Sequence, residues 1–323
     1  MRVPISTTLL KAAALLLALT AAATAQDYPT KPVRLLVPFA PGGSVDIVAR
    51  AIAARLGERL GKQVLAENRP GAATIVATEL AVNSPPDGHT LLMISFSHAV
   101  TPWVHRVPYD PRSAFIPVAM LAKGVNVLTV HPSVSANSVK ELIALAKAKP
   151  KQLFFANAGI GSFTHVSSVL FATMAGIEVE HVPFKGSGPA TIDVIGGHTQ
   201  VLLTSPLSSL PHIRSGKLKA LGLSDTKRSP LMPDVPTIDE AGVPGYEAGN
   251  WWGIAVPAST PQPIIDRLSR EIMAVLNTNE VKDQFAKDGA EIVQMSPAES
   301  SRFFLAELEK WGKVVKEANI KAE

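Results

Sequence analysis

From Val33 onward, one three-part unit recurs in the sequence: a short apolar run, a glycine-rich turn and an apolar stripe at helical spacing. The first unit runs from the apolar residues 33–39 through PGGS into a helical pattern, which is predicted to begin near Ser44 and to end at Gly61. Strands that alternate with helices in this way indicate parallel sheets with helices on both faces. The chain is therefore predicted to be an α/β protein.

The predicted strands outnumber what one sheet holds comfortably, so we divide the chain into two α/β lobes. No linker-like composition separates the lobes, and we expect the chain to cross between them on strands near 125–130 and 220–224. The second lobe is then an insertion of residues 125–224 between the two parts of the first lobe, 26–124 and 225–323.

The first 25 residues have the features of a cleaved export signal. Arg2 and Lys11 precede or flank an apolar run at 12–23, and ATA (23–25) has the small-x-small form of a signal-peptidase site. The run is shorter than the roughly 20 apolar residues that a membrane span needs. We therefore predict that residues 1–25 are removed and that the exported protein is soluble.

The composition excludes several kinds of site. The chain has no cysteine, which rules out disulfides, thiolate metal sites, a cysteine nucleophile and a lipid anchor at the cleavage site. The eight histidines never recur at a spacing of three or four, so a helical metal site is not expected. The basic residues are scattered without interleaved aromatics, which argues against nucleic acid. We expect no metal, no cofactor and no catalytic residue.

Three glycine-rich turns share one design: PFAPGGS (38–44), NAGIGSFTH (157–165) and PFKGSGPA (183–190). Glycines let the backbone approach a guest closely, and Ser44 is expected to cap the first helix. Helix N-termini receive anions, and open α/β sheets bind ligands beyond the carboxyl ends of their strands. Turns from opposite lobes would together hold a carboxylate. An ordinary N-cap with turn glycines is the better explanation of any one of these turns taken alone, whereas three turns at equivalent places favour a site.

Two residue pairs have alternative interpretations. Ser162 and His165 have the spacing of a nucleophile and base, but no G-x-S-x-G motif supports a hydrolase. Trp251 and Trp252 point to opposite faces if they lie on a strand, so one of them would face the cleft, whereas burial of both in the core is the default.

Nine motifs spread over the chain after the signal segment match one family. They are PFAPGGSVDIVARAIAARL (38–56), ENRPGA (67–72), PPDGHTLL (85–92), PYDP (108–111), FANAGIGSFTHV (155–166), HVPFKGSGPATIDVIGG (181–197), SGKLKALGLS (215–224), PDVPTIDEAGVPGYE (233–247) and WGIAVPASTP (252–261). Together they strongly resemble the Bug family, the extracytoplasmic receptors of tripartite tricarboxylate transporters. Two departures are Ala73 and Thr74, where the family has small flexible residues, and Gln200, where it commonly has an acidic residue.

The resemblance implies a two-lobed, type II periplasmic-binding-protein fold that closes on a small organic carboxylate in the periplasm. It also implies delivery to the membrane permease subunits of a transporter, and we expect a monomer. Carried onto this chain, the family's ligand-binding positions are Phe39, Ala40, Ser44, Ser95, Ser97, Ala158, Gly159, Gly161, Ser162, Thr164, His165, Phe184, Lys185, Thr204 and Ser205. The alternatives are a secreted hydrolase of a carboxylate ester and a ligand-binding sensor subunit for a receptor kinase.

Overall fold

The computed structural model describes residues 28–287, 289–317 and 320, so the predicted signal segment lies outside the described residues. The strands are β1 (Val33–Val37), β2 (Val64–Asn68), β3 (Thr90–Ser95), β4 (Phe115–Val125), β5 (Val127–Val130), β6 (Phe154–Asn157), β7 (Glu180–Pro183), β8 (Val201–Thr204), β9 (Lys219–Leu223), β10 (Gly249–Pro257) and β11 (Ala290–Ile292).

Between the strands lie helices with apolar faces turned toward the sheets. They are α1 (Ser44–Leu60), α2 (Ile75–Val82), α3 (Phe96–Val104), α4 (Val139–Ala148), α5 (Phe163–Ala175), α6 (Ser187–Ile195), α7 (Pro206–Arg214), α8 (Gln262–Leu276), α9 (Asn279–Lys287) and α10 (Pro297–Glu317). Within the described ranges, no helix has both the length and the hydropathy needed to cross a membrane.

The strands form two sheets, one in each lobe. The first has the strand order β11-β4-β10-β3-β1-β2 and the second has the order β7-β6-β8-β5-β9. The predicted α/β class with two lobes is therefore confirmed. Parallel pairs occur in both sheets, as predicted, but each sheet also contains antiparallel strands, which the prediction lacked. Strand β10 runs antiparallel to β3 and β4, and β5 runs antiparallel to β8 and β9. Strand β4 ends on the side of the first sheet that faces the second lobe. Its continuation β5 therefore enters the second sheet from the side that faces the first lobe, and so it runs against the direction of β8.

The chain crosses between the lobes twice, and the two crossings are bonded to each other. Asn126 lies between β4 and β5, and the return segment runs from Ser224 to Ala248 before β10. The Ser224 hydroxyl accepts from the Asn126 N–H at 2.7 Å and donates to the Ala248 carbonyl at 2.7 Å. The Ser224 N–H donates to the Asn126 carbonyl, and the Ala248 N–H donates to the Ser224 carbonyl. We call Asn126, Ser224 and Ala248 the hinge cluster.

Both tryptophans on β10 are buried, so the alternative that one of them faces the cleft is wrong. Trp252 is fully buried against Gly124, and the Trp251 indole N–H donates to the Glu307 carboxylate at 2.9 Å. Strand β10 lies inside the first sheet, and its two faces pack into different parts of the core: Trp251 lies against the rings of α10, and Trp252 lies in the cluster on the opposite face.

The segment Ala72–Thr74, where the sequence departs from the family, is a short 3-10 turn with unusual backbone angles. Ala72, Ala73 and Thr74 all have positive φ, at 42°, 47° and 113°. This region favours glycine, and a β-branched residue is strained there. The Ala73 carbonyl accepts from the Thr101 hydroxyl at 2.7 Å, which helps to hold the turn.

Candidate functional site

The first and third glycine-rich turns come from opposite lobes and touch through their main chains. The Ala40 N–H donates to the Lys185 carbonyl at 2.9 Å. A Cβ atom placed on Gly188 would lie 2.2 Å from the Pro41 carbonyl oxygen, far inside contact distance. Only glycine at position 188 therefore permits this approach of the two lobes.

The second turn also contacts the opposite lobe, through α3. The Phe163 N–H donates to the Ser97 hydroxyl at 3.2 Å, and the rings of Phe96 and Phe163 lie 4.6 Å apart. Nearby, a ring nitrogen of His105 lies 2.7 Å from the Ile160 carbonyl oxygen. The described lobes are thus in the closed arrangement, joined by polar and apolar contacts.

These turns enclose a cavity of about 30 Å³ between the lobes. Its lining consists of small, hydroxyl, amide and apolar residues, and none of them is charged. They are Phe39, Gly43, Ser44, Val45, Ser95, Ser97, Asn126, Ala158, Ser162, Phe163, Thr164, Ser187, Thr204, Ser205 and Asn250.

Nine of the residues expected to bind ligand line this cavity together, and six do not. The nine are Phe39, Ser44, Ser95, Ser97, Ala158, Ser162, Thr164, Thr204 and Ser205. The six are Ala40, Gly159, Gly161, His165, Phe184 and Lys185, and contacts within and between the turns engage all of them.

Each of those six residues makes other contacts that keep it away from the lining. Ala40 and Lys185 bond to each other through the main chain, and the Lys185 side chain is exposed to solvent. A Cβ on Gly159 would meet the Phe184 carbonyl at 3.4 Å, so these two residues pack together. The His165 ring is turned back along its own helix, where Nδ1 accepts from the Gly161 N–H at 3.3 Å.

Sequence reasoning missed six lining residues: Gly43, Val45, Asn126, Phe163, Ser187 and Asn250. Asn126 and Asn250 had a detectable signal, because each is a polar residue inside an apolar run on a crossing strand (VNV and GNW). Gly43, Val45 and Phe163 lie directly beside predicted residues, and Ser187 lies two positions after Lys185.

Five helices, α1, α3, α5, α6 and α7, start at the cavity, and their N-termini supply its electrostatic character. Ser162 is the N-cap of α5, and its hydroxyl accepts from the His165 N–H at 3.3 Å. Gly43 is the N-cap of α1 and Gly186 that of α6. The expectation that Ser44 caps α1 is therefore wrong, because Ser44 is the first helical residue and lines the cavity. Unpaired N–H groups and the positive ends of these five helix dipoles favour an anion here.

Asp46 orders the first turn rather than facing the cavity. It accepts from the Gly42 N–H at 3.0 Å, from the Asn68 amide at 2.9 Å and from the Arg50 guanidinium at 3.0 Å. Burial by itself would raise the pKa of Asp46, but these hydrogen bonds and the Arg50 charge outweigh it and lower the pKa. Asp46 is thus a structural anion with its own partners.

Two buried histidines are held neutral near the cavity. Burial, with smaller effects of His181 and His105, lowers the pKa of His165 to about 4. Burial lowers the pKa of His98 on α3 to about 3. Neutral His98 accepts from the Ser95 N–H at 3.1 Å through Nδ1, which fixes the start of α3 beside the cavity.

These pKa shifts predict that acid destabilises the fold. Both histidines take up a proton near pH 6.5 when unfolded, so the free energy of unfolding is highest above that pH and falls as the pH drops toward 4. Between pH 7.5 and 5, each histidine is expected to remove about 2 kcal/mol. Urea unfolding at both pH values measures this loss, and His165→Asn should reduce it by about half. A wild-type stability that is the same at both pH values would contradict the prediction.

The described residues contain no group of three or more His, Asp or Glu side chains placed to share a metal ion. The arrangement is instead one that can hold a small anion with amide and hydroxyl groups.

Comparison with known proteins identifies related chains. A family model described as "Tripartite tricarboxylate transporter family receptor" matches residues 48–320. Protein BugT of Bordetella pertussis is 36% identical over 301 residues, which cover 92% of this chain and 92% of that protein.

Two solved structures are similar over nearly the whole chain. A protein from R. palustris with adipate has a TM-score of 0.89 and 36% identity, covering 92% of this chain and 100% of that one. MatC from Rhodopseudomonas palustris with bound malate has a TM-score of 0.86 and 31% identity, covering 89% of this chain and 100% of that one.

Proposed function

The chain belongs to the tripartite tricarboxylate transporter receptor family, and we propose that it captures a small organic carboxylate in the periplasm by closing its lobes. The closed protein would then deliver the acid to the permease subunits of a membrane transporter. The predicted resemblance to the Bug family and the two-lobed fold are both confirmed.

The observation that carries this proposal is the character of the cavity. Five helix N-termini and several hydroxyl groups, contributed by both lobes, surround a space without a single charged side chain. An acid bound there would meet donors from each lobe only in the closed form, so binding would favour closure. The adipate and malate of the two similar structures support a small aliphatic acid as the ligand.

Several further parts of the proposal follow from the sequence. We assign residues 1–25 to a cleaved export signal, residues 26–124 to the first lobe and residues 125–224 to the second. Residues 225–323 return to the first lobe, and the return segment at their start packs against the second lobe before β10. We expect the exported protein to be a monomer that uses no cofactor and catalyses no reaction.

The contacts of Ser162 favour a receptor over the hydrolase alternative. Its hydroxyl contacts the Thr164 hydroxyl at 3.1 Å and accepts from the His165 main-chain N–H. The His165 ring instead accepts from the Gly161 N–H, so the ring is not positioned to take a proton from Ser162.

A thermal-shift screen of the purified protein tests the proposal. We expect a malate, adipate or related acid to raise the melting temperature, since excess ligand at about 100 times the dissociation constant adds roughly 2.7 kcal/mol of stability. The matched control is the diamide of the same acid, which keeps the length but removes the charge and should give no shift.

Two results would contradict the receptor proposal. One is a panel of small mono-, di- and tricarboxylates that leaves the melting temperature unchanged. The other is multiple turnover of a carboxylate ester that Ser162→Ala abolishes, which would establish the hydrolase.

A further inference from the structure

A second, larger cavity lies between the lobes on the other side of the hinge cluster. We call it the hinge-side cleft, and its volume is about 990 Å³. One wall belongs to the first lobe and includes Lys282 and Ala286 of α9 together with β11. The opposite wall is the segment Asp225–Leu231, which follows β9 of the second lobe.

The strand order of the first sheet places the two cavities on opposite sides of the crossings. In the order β11-β4-β10-β3-β1-β2, the crossings are attached to β4 and β10. The smaller cavity lies beyond β3 and β1, which lead to Ser95 and Phe39, whereas the cleft lies at β11.

The second sheet gives the same result. Its order is β7-β6-β8-β5-β9, and the crossings are attached to β5 and β9. The smaller cavity lies at the ends of β8, β6 and β7, whereas the cleft wall begins at Ser224, directly after β9. Asn250, at the start of β10, lines both cavities and marks the boundary between them.

The two lobes are joined along the crossings, which lie between the two cavities. A rotation about the crossings therefore moves the facing walls of the lobes in opposite senses at the two cavities. A rotation that separates the lobes at the smaller cavity must bring the walls of the hinge-side cleft together. Those walls already touch at one point, since a Cβ on Gly289 would lie 3.2 Å from Pro206 and 3.3 Å from Leu231. The cleft is therefore at its widest when the smaller cavity is closed.

We propose that the hinge-side cleft is a control site: a bulky group that fills it blocks opening of the lobes and so raises the affinity for the acid. This inference rests on the lobe closure of the proposed function. Because the apparent affinity scales with the closed fraction, a group in the hinge-side cleft would change the affinity without contacting the ligand.

The test uses the absence of cysteine from the chain. Spin labels on Val76→Cys and Ile192→Cys, exposed sites on α2 and α6 of opposite lobes, report the distance between the lobes by pulsed electron resonance. Ala286→Trp fills the cleft from the first lobe, and Ser229→Trp fills it from the second. Ala306→Trp, at an exposed position of α10 away from the cleft, is the matched control.

Both cleft variants are expected to reduce the long-distance population of the ligand-free protein at least twofold, and Ala306→Trp to leave it unchanged. For an acid found in the thermal-shift screen, the dissociation constant should fall by the factor by which the closed fraction rises. A distance distribution that is unchanged, or shifted to longer distances, in both cleft variants would overturn the inference. That readout needs no ligand, so its failure is separate from failure of the proposed function.

Discussion

Gly188→Ala is expected to weaken binding of the acid at least 100-fold while leaving each lobe folded. The added Cβ would lie 2.2 Å from the Pro41 carbonyl and 3.2 Å from the Gly43 nitrogen, so the closed lobes could not form. The clash is between lobes, and opening relieves it. Isothermal calorimetry measures the affinity, and circular dichroism verifies the fold.

Gly43→Ala is the matched control on the facing turn. Its Cβ would lie 2.5 Å from the Ser187 hydroxyl oxygen, which a side-chain rotation can move, and no closer than 3.5 Å to the main chain. We therefore expect an affinity within about tenfold of the wild type, corresponding to 1.4 kcal/mol or less. Equal affinities for Gly188→Ala and the wild type would show that the acid binds without the closed contact.

Ser162→Asp is expected to abolish detectable binding without unfolding the protein. Aspartate is as good an N-cap as serine, so α5 should keep its start. Its carboxylate, however, would place a negative charge in a cavity that has no cationic side chain to offset it. Calorimetry should give no heat of binding, and the thermal shift with the acid should disappear.

Ser162→Asn separates charge from size in the same position. Asparagine has nearly the shape of aspartate and is also a strong N-cap, but it is neutral. We expect binding to persist within about tenfold of the wild type. If the two variants lose binding equally, the loss comes from side-chain volume, and the claim of an uncompensated anion site fails.

Helix ends and turns, which depend on neighbouring residues, could be predicted from the sequence. Gly61 ends α1 in the left-handed region with φ of 67°, and Ser138 and Ser162 cap α4 and α5, as their residue types indicate. The turns that line the cavity were found for the same reason, since each lies between an apolar run and a helical stripe. Whether their residues hold the ligand stays a prediction.

Features that depend on distant contacts were not readable. The antiparallel direction of β5 and β10 arises only when two lobes share their facing edges, and no short window of sequence records it. Asn126 and Asn250 are 124 positions apart in the numbering and meet at the cavity through the crossings. Lys185 shows a related limit: its charged side chain suggested the ligand contact, whereas its carbonyl bonds to the opposite lobe.

The hinge cluster has a consequence for the kind of motion that is open to the protein. One hydroxyl, that of Ser224, fastens the outgoing and returning connections together, so neither connection can slide or twist without the other. We expect this connection to disfavour sliding of one lobe past the other, so that the lobes move mainly by a change in the angle between them. Ligand binding in the smaller cavity and occupation of the hinge-side cleft would then both act by changing this one angle.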